Sequence, residues 1–287
     1  MPKNNDSESG IYNLKANGIL GEKEDTIDAI VVGDSESIAS IIPMQLWDEY
    51  GITMYICGSP GQTLPESYSF AYNAMKTQQP KIMILESNNI FRNTTIDDGI
   101  DKILHNILPV TEYHNRWKHI KKEDFYKKPE HTWTDELKGY NYSNIIDPAD
   151  SSNYMKYSEE KTEIKDTNIM YVELLNKLCK DNNCELIIVS TPSTLNWSYE
   201  DHNAIKELAE KENIEFLDFN ILTDEININW ETDTRDKGDH LNQLGAVKLT
   251  KYLGKYLNDK NILTNHKNDE KFSKWNEDLE KYKDMIK

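Results

Sequence analysis

The sequence has few cysteines, no long apolar run and no secretory signal. Its three cysteines, Cys57, Cys179 and Cys184, are too few for a disulfide-stabilised scaffold, and their spacing includes neither a CxxC pair nor a Cys/His pair typical of zinc. No apolar stretch approaches the ~18 residues that a membrane-spanning helix needs. The N-terminus is polar and lacks the apolar core of a signal peptide. We therefore expect the chain as given to be soluble.

Basic residues are also scarce relative to acidic ones. The 287 residues include 33 Lys and Arg against 50 Asp and Glu, a formal net charge of −17. Binding to a nucleic-acid backbone needs clustered basic side chains, so the charge predicts no nucleic-acid partner. It remains compatible with a carbohydrate or a small acyl donor as substrate. The 37% of hydrophobic and 29% of charged residues are typical of a globular protein.

Short apolar runs alternate with helical patterns, which predicts an α/β fold with a mostly parallel sheet. Between residues 108 and 165 this pattern breaks down. A structureless loop of that length is uncommon inside a compact domain, so we expect an ordered insertion or a lid. The predicted strands are residues 27–32, 54–57, 81–85, 185–189 and 214–217, and the predicted helices are 43–50, 64–77, 201–211, 243–257 and, amphipathic, 268–287. The predicted organisation is an N-terminal extension (1–26), one domain (27–260) and a C-terminal amphipathic segment (261–287).

The sequence Gly33-Asp-Ser-Glu-Ser37 follows the first predicted strand directly. Open α/β sheets place their sites at the carboxyl ends of the strands, so Ser35 would lie at that edge. The N–H groups at a helix start can also stabilise a developing oxyanion. Ser35 is therefore a candidate nucleophile. The same short motif is also compatible with a plain turn residue or a helix cap.

The segment Asp236-Lys-Gly-Asp-His-Leu-Asn242 precedes the last helix of the α/β part. A nucleophilic serine needs a base within hydrogen-bond reach, and that base needs a carboxylate to fix its tautomer. Of the seven histidines, His240 alone combines nearby carboxylates with a following helix start, so it is the candidate base. Asp236 and Asp239 are the two candidate carboxylates. The alternative is a loop histidine with no chemical role.

Two further polar segments follow predicted strands, namely Gly58-Ser-Pro-Gly-Gln-Thr63 after the second and Glu86-Ser-Asn-Asn89 after the third. The N–H of Gly61 and the side-chain amide of Asn88 could both donate to an oxyanion. Simple strand-ending turns use the same residue types. Because these segments fall at the edge where a shared site would form, we favour the functional interpretation over unrelated turns.

Together these residues resemble the SGNH (GDSL-like) hydrolase superfamily over residues 27–257, apart from the middle insertion. Its blocks would be Ser35 in Gly33-Asp-Ser35, then Gly61, Asn88 and His240. The resemblance implies a three-layer α/β/α sandwich of flavodoxin-like topology. It also implies a Ser-His-Asp esterase site whose oxyanion hole is formed by the N–H of Ser35, the N–H of Gly61 and the Asn88 amide. No metal or other cofactor is implied.

A narrower resemblance rests on Gly33-Asp-Ser-Glu-Ser37, Leu85-Glu-Ser-Asn88, His114-Asn-Arg-Trp-Lys118 and Asp239-His-Leu-Asn242. These segments are similar to a bacterial branch of extracellular, membrane-anchored SGNH proteins that includes the D-alanyl-lipoteichoic acid transfer protein and the alginate O-acetylation proteins. The resemblance implies an acylated cell-envelope polysaccharide or teichoic-acid-like polymer as substrate, a membrane-bound O-acyltransferase as partner, and a membrane anchor upstream of Met1.

The sequence departs from the superfamily pattern in two places. Glu86 stands where many relatives have glycine, and Lys237 stands three residues before His240, where an aspartate is usual. Adjacent side chains generally point apart, so Asp239 would reach the ring of His240 poorly. We therefore favour Asp236 as the third member of the site.

The insertion carries the candidate residues for substrate binding. His114, Arg116 and Trp117 are predicted there, and Trp133 and Tyr140 could stack on sugar rings. The alternative is that these aromatic residues form the core of the insertion. Two other functions remain open at this point: a catalytically silent module that binds or assembles envelope components, and an ordinary cytoplasmic esterase.

Overall fold

The computed structural model describes residues 13–94 and 131–287. Within them, five parallel strands form one sheet in the order β2-β1-β3-β4-β5. This is the flavodoxin-like order of a doubly wound sheet, and it confirms the predicted α/β fold. The strands are β1 (Ala29–Gly33), β2 (Met54–Gly58), β3 (Ile82–Glu86), β4 (Glu185–Ser190) and β5 (Glu215–Asp218).

Two groups of helices cover the sheet. The helices are α1 (Leu14–Asn17), α2 (Ser35–Ser40), α3 (Pro43–Tyr50), α4 (Leu64–Ala74), α5 (Asp166–Asp181), α6 (Tyr199–Glu212), α7 (Gln243–Asp259) and α8 (Ser273–Met285). Helix α7 contacts α2 and α3, and α3 also contacts α8, whereas α4 contacts α5. In the described part of the chain, no helix is both long and apolar enough to span a membrane.

Strands β1, β2 and β3 are covered on both faces, which explains their sequences. Every residue of β1, β2 and β3 is buried, so these strands are continuous apolar runs rather than alternating ones. Local signals set the helix ends. Pro43 occupies the first turn of α3, and Gly51 ends that helix at a φ of 69°, a conformation that glycine adopts without steric cost.

Strand β1 and helix α5 are two of the elements at which the structure differs from the sequence-based prediction. Strand β1 begins at Ala29 rather than at residue 27, because the amides of Thr26 and Ile27 donate to the side chain of Gln78 instead of to a strand. Helix α5 was not predicted, because the sequence analysis assigned no element to the residues between the insertion, which ends at 165, and the fourth predicted strand, which begins at 185.

Residues 131–165, the described part of the insertion, form turns but neither a helix nor a strand. Their backbone groups bond to several different elements: Asn141 N donates to Ile38 O, and Ala149 N donates to Trp230 O. The segment is therefore ordered by the body of the domain rather than by its own secondary structure. Its residue Tyr140 is only 1% exposed, and its hydroxyl donates to Gln243 Oε1 at 2.7 Å. Tyr140 is thus a core residue, and the suggestion that it stacks on a sugar is wrong.

A short antiparallel pair, β6 (Thr234–Arg235) and β7 (His240–Leu241), lies outside the main sheet. Strand β7 contacts α2. The pair therefore holds residue 240 beside the helix that begins at Ser35.

Candidate active site

The candidate residues of the active site lie where the order of the strands in the sheet reverses. Strand β1 is flanked by β2 on one side and β3 on the other. The connection that follows β1 therefore leads toward one edge of the sheet, and the connection that follows β3 leads toward the other edge. Such a switch point opens a crevice at the carboxyl ends of the strands. Ser35 follows β1 and Asn88 follows β3, so both lie at this crevice.

Asp34 shapes the turn that presents Ser35. It is the N-cap of α2, and its Oδ1 accepts from Glu36 N at 3.1 Å. Its carbonyl oxygen accepts from Ser37 Oγ at 2.7 Å. Ser35 is half-buried at the first helical position, where an amide has no partner within the helix. The turn thus leaves the Ser35 N–H available for a developing oxyanion.

Gly33 at the end of β1 and Gly58 at the end of β2 are both required for close packing around this turn. A Cβ at Gly33 would lie 2.5 Å from the Cβ of Glu86 on the neighbouring strand. A Cβ at Gly58 would lie 2.6 Å from Ser37 Oγ. The two glycines therefore allow the helix bearing Ser35 to approach the sheet.

The second oxygen of Asp34 binds two side chains from the far side of the crevice. Arg92 donates from Nε at 2.7 Å and lies 2.5 Å away through its second terminal nitrogen. Asn88 donates from Nδ2 at 2.9 Å. An amide nitrogen carries two hydrogens, so one N–H of Asn88 remains for a ligand. Arg92 was missed by sequence reasoning, because nothing local indicates that it reaches Asp34.

Two further carboxyl groups are buried near Asp34. Burial and then the negative charge of Asp34 raise the pKa of Glu36 well above its ordinary value. The same two causes, followed by the charge of Glu36, raise the pKa of Glu86. The structure therefore favours the neutral form of both glutamates beneath the nucleophile turn.

The residues before His240 form a left-handed turn. Asp236, Lys237 and Gly238 have φ values of 51°, 61° and 91°. This turn brings the Asp236 carboxylate back to His240, so that Oδ1 accepts from His240 N and Oδ2 lies 2.9 Å from Nδ1. The nearest Asp239 oxygen is 3.6 Å from the same nitrogen. The unusual spacing of four residues is thus compatible with an Asp–His pair, because the turn absorbs the extra residue.

The other ring nitrogen of His240, Nε2, is the atom that would accept a proton from Ser35. The side chain is 12% exposed, and Nε2 is buried with no hydrogen-bond partner in the described residues. Nε2 therefore makes no hydrogen bond to Ser35 in this arrangement. Catalytic hydrogen bonds are often long without substrate and tighten when it binds, so the geometry still permits Ser35 and His240 to act together.

The remaining oxyanion candidate, Gly61, lies on an exposed turn after β2. Its φ is 71°, and no atom lies within 4 Å of the position that a Cβ would occupy. Backbone conformation, not space, is thus the reason for glycine here.

His114, Arg116 and Trp117 lie outside the described residues, and their predicted role in substrate binding stays a prediction. Trp133 packs against Gly18 and Gly21.

A loop after β4 completes the site, and sequence reasoning missed it. Asn196 Nδ2 donates to Glu36 Oε1 at 2.9 Å and also to Asp239 Oδ1. Ser193 Oγ donates to Asp239 O at 2.8 Å. Glu36, Asp239 and His240 each have one possible metal-ligand atom, and these three atoms lie within 4.8 Å of one another. These are residue types that can bind a cation, but the hydrogen bonds from Asn196 already engage both carboxyl groups.

No protein-family model and no curated protein matches the sequence. The chain is similar in fold to solved structures of proteins described as a lipase/acylhydrolase, an esterase and a GDSL-like lipase. A lipase/acylhydrolase from Enterococcus faecalis is 11% identical, with 83% of this chain and 98% of that chain covered and a TM-score of 0.44. The esterase EstA from Pseudoalteromonas sp. is 12% identical, with 80% and 99% covered and a TM-score of 0.43. A GDSL-like lipase from Bacteroides thetaiotaomicron is 9% identical, with 81% and 88% covered and a TM-score of 0.39. All three TM-scores are below 0.5, so the function proposed below rests on the geometry of this chain.

Proposed function

We propose that this protein is an SGNH-type serine esterase or O-acyltransferase with Ser35 as nucleophile, His240 as base and Asp236 as its carboxylate. The observation that carries the proposal is the Asp236–His240 contact of 2.9 Å, on a strand that packs against the helix beginning at Ser35. A nucleophile, a base and an orienting carboxylate at one sheet edge are the parts that acyl transfer needs.

The proposed reaction is a double displacement. Ser35 Oγ attacks the ester carbonyl carbon as His240 Nε2 takes its proton, and Asp236 stabilises the imidazolium. The tetrahedral intermediate expels the alcohol, which receives that proton. Water or a polyol hydroxyl then attacks the acyl-enzyme and gives its proton to His240 Nε2. The acyl–Ser35 bond breaks, Ser35 Oγ takes that proton back from His240, and the acid or the new ester leaves. The N–H groups of Ser35 and Gly61 and the free N–H of Asn88 are the proposed oxyanion donors, each of which contributes roughly 3 kcal/mol in comparable sites.

The proposed substrate is an acylated carbohydrate or polyol polymer of the bacterial cell envelope. In this proposal the protein works at the extracellular face of the membrane, held there by an anchor beyond the given chain and beside a membrane-bound O-acyltransferase. The narrower sequence resemblance supports this setting. The net charge of −17 is compatible with a carbohydrate acceptor and disfavours a nucleic acid.

The experiment is release of p-nitrophenol from p-nitrophenyl acetate by wild type, Ser35→Ala and His240→Ala. We expect both variants to lose at least 10³-fold in kcat/KM, which is of the order seen when a nucleophile or base is removed. Ser40→Ala is the matched control. It makes the same chemical change in the same helix, at a hydroxyl that has no hydrogen-bond partner among the described residues.

Asp236→Asn and Asp239→Asn decide which aspartate assists the histidine. We expect a loss on the order of 10⁴-fold in kcat for Asp236→Asn and a much smaller one for Asp239→Asn. Adding glycerol and measuring acetylglycerol separates transfer from hydrolysis. If wild type, Ser35→Ala and His240→Ala are equally inactive and a serine-reactive phosphonate does not label Ser35, the esterase proposal is wrong and the silent binding module replaces it.

A further inference from the structure

The His240 ring has two carboxylates within ion-pair distance but is at hydrogen-bond distance from only one of them. Asp236 Oδ2 is 2.9 Å from Nδ1, whereas Asp239 Oδ2 is 3.6 Å away. The second distance exceeds a hydrogen bond by a few tenths of an ångström. A small rotation of the Asp239 side chain would therefore bring a second carboxylate onto the same nitrogen.

Asn196 is the group that restrains Asp239. Its Nδ2 donates one hydrogen bond to Asp239 Oδ1 and another to Glu36 Oε1. A neutral amide with two N–H groups suits this position, because it binds one oxygen of each carboxyl group and adds no charge beside the imidazole. Glu36 is buried in α2, the helix that begins at Ser35, so the bridge joins the helix of the nucleophile to the loop of the base.

The backbone of the same loop is tied to the histidine loop as well. Ser193 Oγ donates to Asp239 O and accepts from Asn196 N at 3.1 Å. Thr194 N donates to Gly238 O at 2.9 Å. The Asn196 side chain is thus held in register with Asp239 by bonds that do not involve the amide, and these bonds remain when the amide is removed.

We propose that Asn196 is a positioning residue that holds the Asp239 carboxylate beyond hydrogen-bond distance of His240, so that Asp236 alone hydrogen-bonds to the imidazole. The inference deepens the proposed function, on which it rests. A second carboxylate at Nδ1 would favour the imidazolium over the neutral ring, and an imidazolium cannot accept the proton of Ser35.

The charged groups that face the ring come from three elements. Asp236 and Asp239 lie in its own loop. Arg235 in β6 lies 3.7 Å from Asp236 Oδ2 through Nε, and Glu36 in α2 contributes a buried carboxyl group. Asn196→Ala removes no charge but releases both Asp239 and Glu36, so the Asp239→Asn background is needed to assign its effect to Asp239.

The test is an NMR titration of the His240 ring in wild type, Asn196→Ala, Asp239→Asn and the double variant. The His240 signal is identified by its loss in His240→Gln. We expect Asn196→Ala to raise the titration midpoint by about half a pH unit to one unit, and the double variant to titrate like Asp239→Asn. Leu195→Ala, at a neighbouring side chain that is 62% exposed, is the control for general disturbance of the loop.

In Asn196→Ala, the acidic limb of the pH profile of kcat/KM for p-nitrophenyl acetate should move to higher pH by the same amount. A wild-type midpoint in Asn196→Ala, or an equal rise in the Asp239→Asn background, would overturn the proposal. The titration needs no turnover. If Ser35 proves not to be a nucleophile, the NMR result still decides whether Asn196 restrains Asp239. A failure of the esterase proposal can therefore be distinguished from a failure of the role proposed for Asn196.

Discussion

At the scale of single residues, the buried acids around Ser35 link the site to stability. Glu36 and Glu86 are each 1% exposed, and each has an ordinary pKa of 4.5 that burial and the charge of Asp34 raise well above that value. In the unfolded chain both groups ionise above about pH 4.5. Between that pH and the raised value, the folded protein binds more protons than the unfolded chain, so stability falls as pH rises.

We expect Glu86→Gln to weaken this pH dependence. A glutamine keeps the shape and polarity of the neutral acid but has no proton to lose. Between pH 5 and 8 the free energy of unfolding of wild type should decrease, with up to about 1.4 kcal/mol per pH unit from each such group. Urea unfolding at pH 5, 6, 7 and 8 measures the slope, and Glu86→Gln should be flatter than wild type. Glu280→Gln, at a side chain that is 75% exposed, should keep the wild-type slope, and equal slopes in all three proteins would contradict the assignment.

At the scale of elements, the start of α7 holds the histidine strand in place. Asn242 is 1% exposed, and its Oδ1 accepts from Leu244 N and Gly245 N. Its Nδ2 donates to the carbonyl oxygens of Thr232 and Ile145 at 2.8 and 3.0 Å. One side chain thus caps a helix and ties two loops to the strand that carries His240.

Asn242→Ala should therefore cost both stability and activity. Loss of the cap costs about 1 kcal/mol, and leaving buried carbonyl groups unpaired adds about 1–3 kcal/mol. Asn242→Ser is the matched comparison, because its hydroxyl can still cap the helix but is too short to reach the carbonyl groups. Urea unfolding should place the serine variant between wild type and alanine. If serine and alanine are equally destabilised, the cap contributes nothing.

At the scale of the whole molecule, one buried lysine connects distant parts of the chain. Lys138 is fully buried, with Nζ at 2.9 Å from Glu22 Oε1 and 2.7 Å from Asp278 Oδ2. Nζ also lies 4.9 Å from the centre of the Trp275 ring. The N-terminal segment, the middle segment and helix α8 therefore meet at this charge.

Lys138→Met should destabilise the protein by about 3–5 kcal/mol, because it leaves buried carboxylates without their partner. Adding Glu22→Gln and Asp278→Asn removes those charges and should restore much of the loss. Lys177→Met is the control. That lysine is 68% exposed and pairs with Asp181 at the surface, where a pair contributes less than about 1 kcal/mol. Urea unfolding at pH 7 compares them, and a Lys138→Met variant no less stable than the control would contradict the role given to this charge.

The core of the fold could be predicted from the sequence because the buried strands are apolar runs that local composition reveals. The five strands of the sheet and the helix Pro43–Tyr50 were predicted to within one or two residues. The candidate site was predicted only in its local motifs. Ser35, Gly61, Asn88 and His240 each follow a recognisable segment, whereas Arg92, Asn196 and Lys138 act through partners 58, 43 and 140 residues away.

The α/β class and the succession of the five strands follow from alternating apolar runs and helix signals, which are local properties of the chain. Which side chains meet depends on the fold. The left-handed turn brings Asp236 to His240, Asn196 binds Asp239, and Tyr140 enters the core. The reason is physical: these contacts form between segments whose distance is set by strand order and turn geometry, and neither can be read from the residues of one segment alone.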